Sequence, residues 1–288
     1  MRAIYRRELR AYFQSMIGYV LIAFLTAFAG VYFMAYNLNY GYPYFSYVLS
    51  GITFIFLIAI PLLTMRSFSE EQKNKTDQLL LTSPVSLTEV VLGKYFAMVT
   101  ILAVPCLIYL LFPLIIKTQG TAYILIDYLS ILMFFLLGCV YIAIGMFLSS
   151  LTQSQILAAV GTFAVLLLLY LWEGILEFVP DSAMVNMLGV ILILTALVFG
   201  IWHMTKNWVI CAILELAVIV GNIIAYAVKS GLYEGLLANI LGRLNLNEIF
   251  TGISSDSLFD VSGVILYLSL IVFFNILTMQ MIQKRRWS

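Results

Sequence analysis

The chain has 288 residues, of which 63% are hydrophobic and 10% are charged, and its formal net charge is +1. Soluble globular domains carry about a quarter charged residues, so this composition excludes that class and indicates a protein that crosses a membrane several times. The near-zero net charge also excludes nucleic acid as an expected partner, because binding to phosphates needs clustered Lys and Arg.

Eight apolar runs are long enough, or nearly so, for a membrane span, which requires about 20 residues in a hydrocarbon core of about 30 Å. The sequence therefore predicts an all-α fold, a polytopic membrane helix bundle with about eight transmembrane helices. Six spans are the alternative, with residues 185–228 forming a re-entrant or interfacial hairpin. The eight runs cover residues 16–36, 47–65, 95–116, 128–148, 155–174, 185–202, 208–228 and 262–282.

The distribution of basic residues predicts the orientation of the chain. If the N-terminus is cytosolic, twelve of the fifteen Lys and Arg residues fall in cytosolic segments and three fall outside. Cytosolic loops of membrane proteins carry an excess of Lys and Arg. We therefore expect a multi-pass protein in contact with the lipid bilayer, with both termini cytoplasmic and with residues 229–261 as an extracytoplasmic loop.

Residues 1–15 precede the first apolar run and have a pattern of their own. Apolar side chains recur on one side of a 3.6-residue helix, and basic side chains occupy the other side. This pattern is typical of an amphipathic helix that lies in the headgroup layer of a membrane. The basic residues of this predicted interfacial helix are Arg6, Arg7 and Arg10.

The segment between the first two spans, from Tyr36 to Tyr47, is rich in aromatic residues, with Tyr40, Tyr42 and Tyr44 around Pro43. Tyrosine is enriched at membrane interfaces because its ring is apolar and its hydroxyl is polar. Anchoring in an aromatic belt is the favoured interpretation, and ligand binding is the alternative.

The longest polar interruption runs from Arg66 to Lys94, between the second and third spans. Ser69 followed by Gln72 predicts a capping box for a helix of about Glu70–Leu81. This predicted helix ends in three leucines that are costly to expose to water. They are expected to dock either on the interfacial helix or lipid surface, or in a groove on a soluble partner.

A second capping box is predicted after the break at Thr82, Ser83 and Pro84. Ser86 is followed three residues later by Glu89, which is the pattern that begins a helix. The chain is therefore expected to form a short helix, turn, and re-enter the membrane as the third span.

Glu215 is the one acidic residue well inside a predicted span, since Glu173 lies at the end of the run 155–174. A charged side chain at that depth costs about 2.5–3.5 kcal/mol on insertion scales, so Glu215 should face the bundle or be protonated. Asn222 lies on the same predicted face and is its expected companion. The pair is a candidate for the substrate path, and the alternative is a hydrogen bond that packs helices together.

The run EEQKNKTDQLLLTSPVSLTEVVLGK resembles the first cytosolic loop of ABC-2 type transporter permeases, which has an acidic start, a leucine cluster and a closing Leu-Gly-Lys. Lys75 stands where this family usually has Gly, and we expect the helix to continue through it without a tight turn. The matching residues are Glu70, Glu71, Thr76, Leu79, Leu80, Leu81, Pro84, Gly93 and Lys94.

The closing stretch of the chain resembles the C-terminal region of the gliding-associated branch of these permeases. Residues 180–230 are less like the six-span family pattern, and the sixth and seventh spans are therefore expected to be an insertion. The matching residues in the closing stretch are Phe250, Gly252, Phe259, Asp260, Tyr267, Lys284, Arg285, Arg286 and Trp287.

The resemblance implies a transmembrane permease subunit of an ATP-binding cassette exporter in a bacterial plasma membrane. It implies a second permease, as a homo- or heterodimer, and a separate ABC ATPase subunit that carries ATP and Mg. No cofactor and no enzymatic activity are expected on this chain, which contains no G-x-x-x-x-G-K-[ST] phosphate-binding motif. The ATPase-coupling residues would be Glu70, Glu71, Lys73, Thr76, Leu79, Leu80 and Pro84.

The expected activity is export of an amphiphilic, peptide or lipid-like substrate by alternating access, with residues 1–288 forming a single permease domain. Two alternatives belong to other classes. One is a membrane subunit that transmits ATPase motion to an extracytoplasmic partner without transport. The other is an ion-coupled secondary transporter built around Glu215.

Overall fold

The computed structural model describes residues 1–76, 86–205, 208–229, 231, 233–243, 245–256 and 261–287. Helices and turns make up this part of the chain, and no β-strand occurs in it. The predicted all-α class is therefore confirmed. Long apolar helices in this part also confirm a polytopic membrane helix bundle.

The chain divides into two compact units, Met1–Tyr170 with Leu246–Ser288, and Leu171–Asn245. The second unit contains the predicted sixth and seventh spans. The expectation that these spans are an insertion stays a prediction. Whether residues 1–288 work as a single permease domain stays a prediction, because compactness does not test it.

The first unit consists of a short N-terminal helix and the helices of the bundle. A wide π-helical turn, Met34–Asn39, extends the second helix, and a short 3₁₀ turn, Thr53–Ile55, joins the third to the fourth. The helices are α1 (Arg2–Gln14), α2 (Met16–Phe33), α3 (Ser46–Ile52), α4 (Phe56–Thr64), α5 (Ser69–Lys73), α6 (Leu87–Tyr109), α7 (Phe112–Gln119), α8 (Ile124–Leu151), α9 (Gln155–Tyr170), α14 (Leu246–Asp256) and α15 (Val261–Trp287).

The second unit is built from two long apolar helices and two short ones. The long helices pack against each other, and the indole of Trp172 donates a hydrogen bond of 2.8 Å to the carbonyl oxygen of Leu241. The helices are α10 (Trp172–Glu177), α11 (Ala183–Thr205), α12 (Trp208–Val228) and α13 (Leu236–Gly242).

Every predicted apolar run coincides with a helix in the described part of the chain. Five segments there are both long and apolar enough to cross a membrane: Met16–Asn39, Ser46–Lys73, Leu87–Gln119, Ile124–Leu151 and Val261–Arg285. Three shorter apolar segments, Gln155–Tyr170, Ala183–Ala196 and Ala212–Val228, account for the remaining runs. The choice between eight and six crossings stays a prediction.

Helix α8 is the central helix of the first unit. Of its most apolar window, 72% is buried, against 28% for the window in Met16–Asn39 and 22% for the one in Val261–Arg285. Helices α4, α6, α9, α14 and α15 all pack against it.

Glycines on α8 allow these close approaches, as small residues do between membrane helices. A Cβ atom at Gly138 would lie 2.5 Å from Cδ2 of Leu102 and 3.2 Å from Cζ of Phe56. A Cβ atom at Gly145 would lie 3.0 Å from Cγ2 of Thr162. The side of α8 that bears these glycines therefore has no room for even one added methyl group.

We predict that Gly138→Ala lowers the stability of the protein by about 1–3 kcal/mol, because the added methyl group overpacks the contact with Leu102. The control is Gly161→Ala on α9, where a Cβ atom would meet nothing within 4 Å. That change should stabilise the helix by about 0.5–1 kcal/mol. Thermal unfolding of both variants in detergent measures the difference, and equal shifts would contradict the packing argument.

Candidate functional site

The site centres on a buried lysine at the start of the third span. The side chain of Lys94 is 3% exposed, and its Nζ lies 2.9 Å from Oε1 of Glu71 and 3.4 Å from Oε1 of Glu8. The same Nζ donates a hydrogen bond of 2.7 Å to the carbonyl oxygen of Ser67. A buried ammonium is tolerated only when it is paired and hydrogen-bonded, and these three acceptors match its three protons.

Arg7 completes the set of charges, which we name the Lys94 cluster: Arg7, Glu8, Glu71 and Lys94. The guanidinium of Arg7 lies 2.6 Å from Oε1 of Glu8 and 3.1 Å from Oε1 of Glu71. Burial lowers the pKa of Arg7, but hydrogen bonds and charge interactions with the two carboxylates outweigh this effect, so its pKa is raised. Two cations and two anions therefore balance at one junction.

The cluster joins three separate elements. Arg7 and Glu8 lie on α1, Glu71 lies on α5, and Lys94 lies on α6. The ring of Phe68, one residue before α5, also lies under the Lys94 ammonium, with 5.1 Å between Nζ and the ring centroid. Cations are attracted to aromatic faces at such distances. The contacts of the buried Lys94 ammonium thus fix the relative positions of α1, α5 and α6.

Gly93 explains how α1 comes close enough to α6 for these contacts. A Cβ atom at Gly93 would lie 3.1 Å from Cγ2 of Ile4 and 3.5 Å from the backbone nitrogen of Tyr5. Two turns further along α6, the hydroxyls of Tyr5 and Thr100 are 3.0 Å apart and hydrogen-bonded. Gly93 therefore leaves room for α1 to approach α6, and Lys94 binds α1 through Glu8.

The inner face of α1 packs on protein. Tyr12 is buried and its hydroxyl donates a hydrogen bond of 3.0 Å to the carbonyl oxygen of Leu63. Glu8, four residues earlier, lies on this same face, whereas Arg6 and Arg10 are exposed. The structure thus has the amphipathic helix that the sequence predicts, and its acidic inward residue is an addition to that prediction.

The start of α5 differs from the predicted capping box at Ser69 and Gln72. The N-cap position is Phe68, and no side chain within the helix caps it. Instead, the hydroxyl of Ser149 on α8 accepts hydrogen bonds from the backbone nitrogens of Phe68 and Ser69, at 3.2 and 3.3 Å. Gln72 donates 3.0 Å to the carbonyl oxygen of Ser150. The predicted box is wrong because tertiary contacts to α8 take its place.

The end of α5 also differs from the prediction of a helix over Glu70–Leu81. The helix ends at Lys73, and Lys75 adopts a left-handed conformation with φ of +57°. The backbone nitrogen of Thr76 then donates 3.0 Å to the carbonyl oxygen of Glu71, as in a Schellman C-cap. The expected continuation through Lys75 is wrong, and the tight turn of the family's glycine is present without the glycine.

The second predicted capping box begins the third span, as the sequence indicates. The Ser86 hydroxyl accepts a hydrogen bond of 3.3 Å from the backbone nitrogen of Glu89, and α6 begins at Leu87. This cap is local, so sequence spacing suffices to predict it.

The remaining coupling residues are placed on the surface or lie outside the described residues. Glu70 forms an ion pair of 2.7 Å with Arg66, and both side chains are about a third exposed. Lys73 and Thr76 are exposed. Leu79, Leu80 and Pro84 lie outside the described residues.

Glu215 and Asn222 have different hydrogen-bond partners in the second unit. The hydroxyl of Thr195 on α11 donates 2.8 Å to Oε1 of Glu215, and the hydroxyl of Tyr233 donates 2.8 Å to Oδ1 of Asn222. Both contacts fit the packing interpretation of these polar groups. A place on a substrate path stays a prediction for each of them.

Sequence reasoning missed Glu8, Gln72 and Ser149 as members of the site. Glu8 could have been found, because it is an acidic residue between apolar neighbours on the inward face of α1. Gln72 and Ser149 could not, because their contacts join residues about 80 positions apart in the chain.

The fold and the site together define a class, namely a multi-pass membrane protein whose segment between the second and third spans is ion-paired to the bundle. The chain belongs to the ABC-2 family, since the model described as ABC-2 family transporter protein matches residues 2–187. That match contains α1, the Lys94 cluster and α8, and it confirms the resemblance seen in the sequence. Comparisons with curated proteins and with solved structures gave no match.

The family identifies the chain as a membrane component of a transporter that works with an ABC ATPase subunit. The resemblance of the closing stretch to the gliding-associated branch lies beyond residue 187, so it stays a prediction.

Adjacent residues on α5 allow a matched test of the Lys94 cluster. We predict that Glu71→Gln lowers stability by about 1.5–3 kcal/mol, because Lys94 and Arg7 lose a charged hydrogen-bond partner. Glu70→Gln removes an exposed ion pair and should cost about 0–1 kcal/mol. Thermal unfolding in detergent compares the two, and a shift for Glu70→Gln as large as that for Glu71→Gln would refute the assignment.

Proposed function

We propose that the chain is the transmembrane permease subunit of an ATP-binding cassette exporter, and that the segment from Arg66 to Lys94 couples it to the ATPase. The observation that carries this proposal is the pairing of Lys94 with both Glu8 and Glu71. A displacement of α5 would reach α1 and the third span directly, because the buried ammonium of Lys94 has little water to replace its carboxylate partners.

The other contacts of α5 support the same role. It continues the second span, since Ser46–Lys73 forms one long apolar segment. It is also held to the end of α8 through Ser149 and Ser150. Displacement of α5 would therefore move the second, third and fourth spans together, as in a rigid-body switching transition.

The surface that would face the ATPase is the outer side of this turn, where Lys73 and Thr76 are exposed. Leu79, Leu80 and Pro84, which follow in the sequence, are proposed to complete the docking face. A leucine cluster next to charged residues in the sequence is typical of a segment that binds in a groove. In this proposal the interfacial helix, with Arg6, Arg7 and Arg10, flanks the docking face at the cytosolic membrane surface.

The full assembly would contain two permeases, as a homo- or heterodimer, and ATPase subunits that hold ATP and Mg. ATP-driven closure of the ATPases would push α5, and alternating access would follow in the spans. We propose an amphiphilic, peptide or lipid-like substrate, because the spans carry few polar groups. Both termini would lie in the cytoplasm of a bacterial cell.

Binding of the ATPase can be tested at Glu70 and Leu79. We predict that Glu70→Lys, and separately Leu79→Asp with Leu80→Asp, abolish co-purification of the ATPase encoded with this chain. The expected cause is an unfavourable charge in the docking face. Glu173→Lys on α10 is the matched charge reversal, and it should leave the complex intact.

Each variant is first checked for a single monodisperse peak and an unchanged melting temperature, so that loss of the complex is separated from misfolding. A retained complex in a pull-down from well-folded Leu79→Asp, Leu80→Asp protein would contradict the proposal.

The role of Glu215 can be separated from coupling. If Glu215 packs helices through Thr195, then Glu215→Gln keeps a hydrogen-bond acceptor and should leave the ATPase rate of the reconstituted complex unchanged. Loss of export with an unchanged ATPase rate would instead place Glu215 on a substrate or ion path. The control is Thr195→Val, which removes the same hydrogen bond from the other side.

A further inference from the structure

An open pocket of about 460 Å³ lies where α2 passes into its π-helical turn, and its lining includes Val31, Tyr40 and Tyr42, which are 64%, 74% and 47% exposed. We name it the tyrosine pocket. Its volume falls within the range of about 300–1,000 Å³ that is usual for small-molecule sites. Its lining contains no charged residue and consists of Val31, Tyr32, Ala35, Tyr36, Tyr40 and Tyr42.

Hydrogen bonds hold the polypeptide around the tyrosine pocket in place. The side chain of Asn37 is buried, and its amide donates 2.7 Å to the carbonyl oxygen of Tyr42 and 3.1 Å to that of Tyr44. The backbone nitrogen of Tyr42 donates 3.1 Å to the carbonyl oxygen of Tyr36. The wide turn that permits this folding back is of a kind found frequently at functional sites.

The opposite wall of the pocket is also fixed. A Cβ atom at Gly51 would lie 2.7 Å from ring atoms of Tyr32, so the absence of a side chain there makes room for this ring. Ring centroids are 5.9 Å apart for Tyr32 and Tyr36, and 6.2 Å apart for Tyr36 and Tyr42. The centroids of Tyr40 and Tyr42 are 6.3 Å apart. The four rings therefore form one connected surface.

The chemistry of this lining excludes several classes of ligand. An anion would need basic or other strong donors, and the lining has no Lys or Arg. A hard metal ion would need carboxylate or carbonyl ligands, and the lining side chains supply none. A wholly apolar ligand would make no hydrogen bond to the tyrosine hydroxyls, although four of the six lining residues are tyrosines.

We propose that the tyrosine pocket binds an organic cation of the quaternary ammonium class, such as a choline group. Aromatic faces attract such cations through their quadrupoles, and cages of aromatic rings are the usual means of recognising them. An aromatic belt accounts for tyrosines at a given depth, but it requires neither a cavity nor a loop pinned by a buried amide. The proposal does not depend on the coupling function of the Lys94 cluster.

The test uses the full-length chain, purified in an uncharged maltoside detergent, and choline as the probe. Saturation-transfer difference NMR should show binding, and 3,3-dimethyl-1-butanol, the uncharged isostere of choline, should bind at least about fivefold more weakly. Equal affinity of the two compounds would overturn the proposal, because it would show a cavity that recognises shape alone.

Variants locate the binding. Tyr36→Leu and Tyr42→Leu should each weaken choline binding by about fivefold or more, whereas Tyr36→Phe keeps the ring and should retain it. Tyr19→Leu is the control, because Tyr19 is a tyrosine of α2, 60% exposed and outside the pocket lining. Unchanged binding in folded Tyr36→Leu protein would also overturn the proposal.

A free cation and a lipid headgroup share this chemistry, and a second arm separates them. Choline affinity is compared between nanodiscs of phosphatidylcholine and of phosphatidylethanolamine, which are both zwitterionic, so that neither surface concentrates the choline cation. Weaker apparent binding in phosphatidylcholine would assign the pocket to the lipid headgroup, and equal binding would assign it to a soluble cation. Absence of binding in both bilayers would overturn the proposal.

Discussion

The removal of one ammonium group from water governs the arrangement of this protein around Lys94. A charge in a low-dielectric interior costs several kcal/mol unless its partners are close and complete. Here the partners come from separate elements, with Glu8 on α1, Glu71 on α5 and the carbonyl oxygen of Ser67 just before α5. Each pair of elements among α1, α5 and α6 shares a direct ion pair, so separating any two of them breaks at least one contact of the cluster. The junction therefore has few intermediate positions, which is the property required of a part that transmits displacement.

The architecture follows from packing at α8 as much as from charge. Glycines on this helix bring α4, α6 and α9 close enough for their side chains to interlock. The hydroxyl of Ser149, near the end of α8, accepts hydrogen bonds from the first backbone nitrogens of α5 and so acts as its helix cap. The central helix of the bundle and the short helix outside it are thus connected by hydrogen bonds between side chains and backbone groups. In the coupling that we propose, these hydrogen bonds would transmit displacement of α5 to the spans.

Local features of the sequence predicted the structure well, and features that depend on distant residues were not predicted. The eight apolar runs became helices, and Ser86 caps α6, because both depend on neighbours in the chain. The capping box at Ser69 failed because Ser149 competes for the same backbone groups from α8. The helix end at Lys73 was missed because propensity gives little reason for lysine to adopt a left-handed conformation. Lys94 was recognised as part of a motif, but its ion pairs required knowledge of where α1 lies.

The backbone at Lys75 has a consequence for how this surface is specified. A left-handed conformation costs a residue with a Cβ about 1–2 kcal/mol, and glycine adopts it freely. The chain nevertheless has an ammonium-bearing side chain at this turn, and that residue is exposed. Glycine would form this turn more easily, and lysine adds a positive charge to the exposed surface. Glycine at this position would keep the bend of the polypeptide and would remove a positive charge from the surface that an approaching molecule meets.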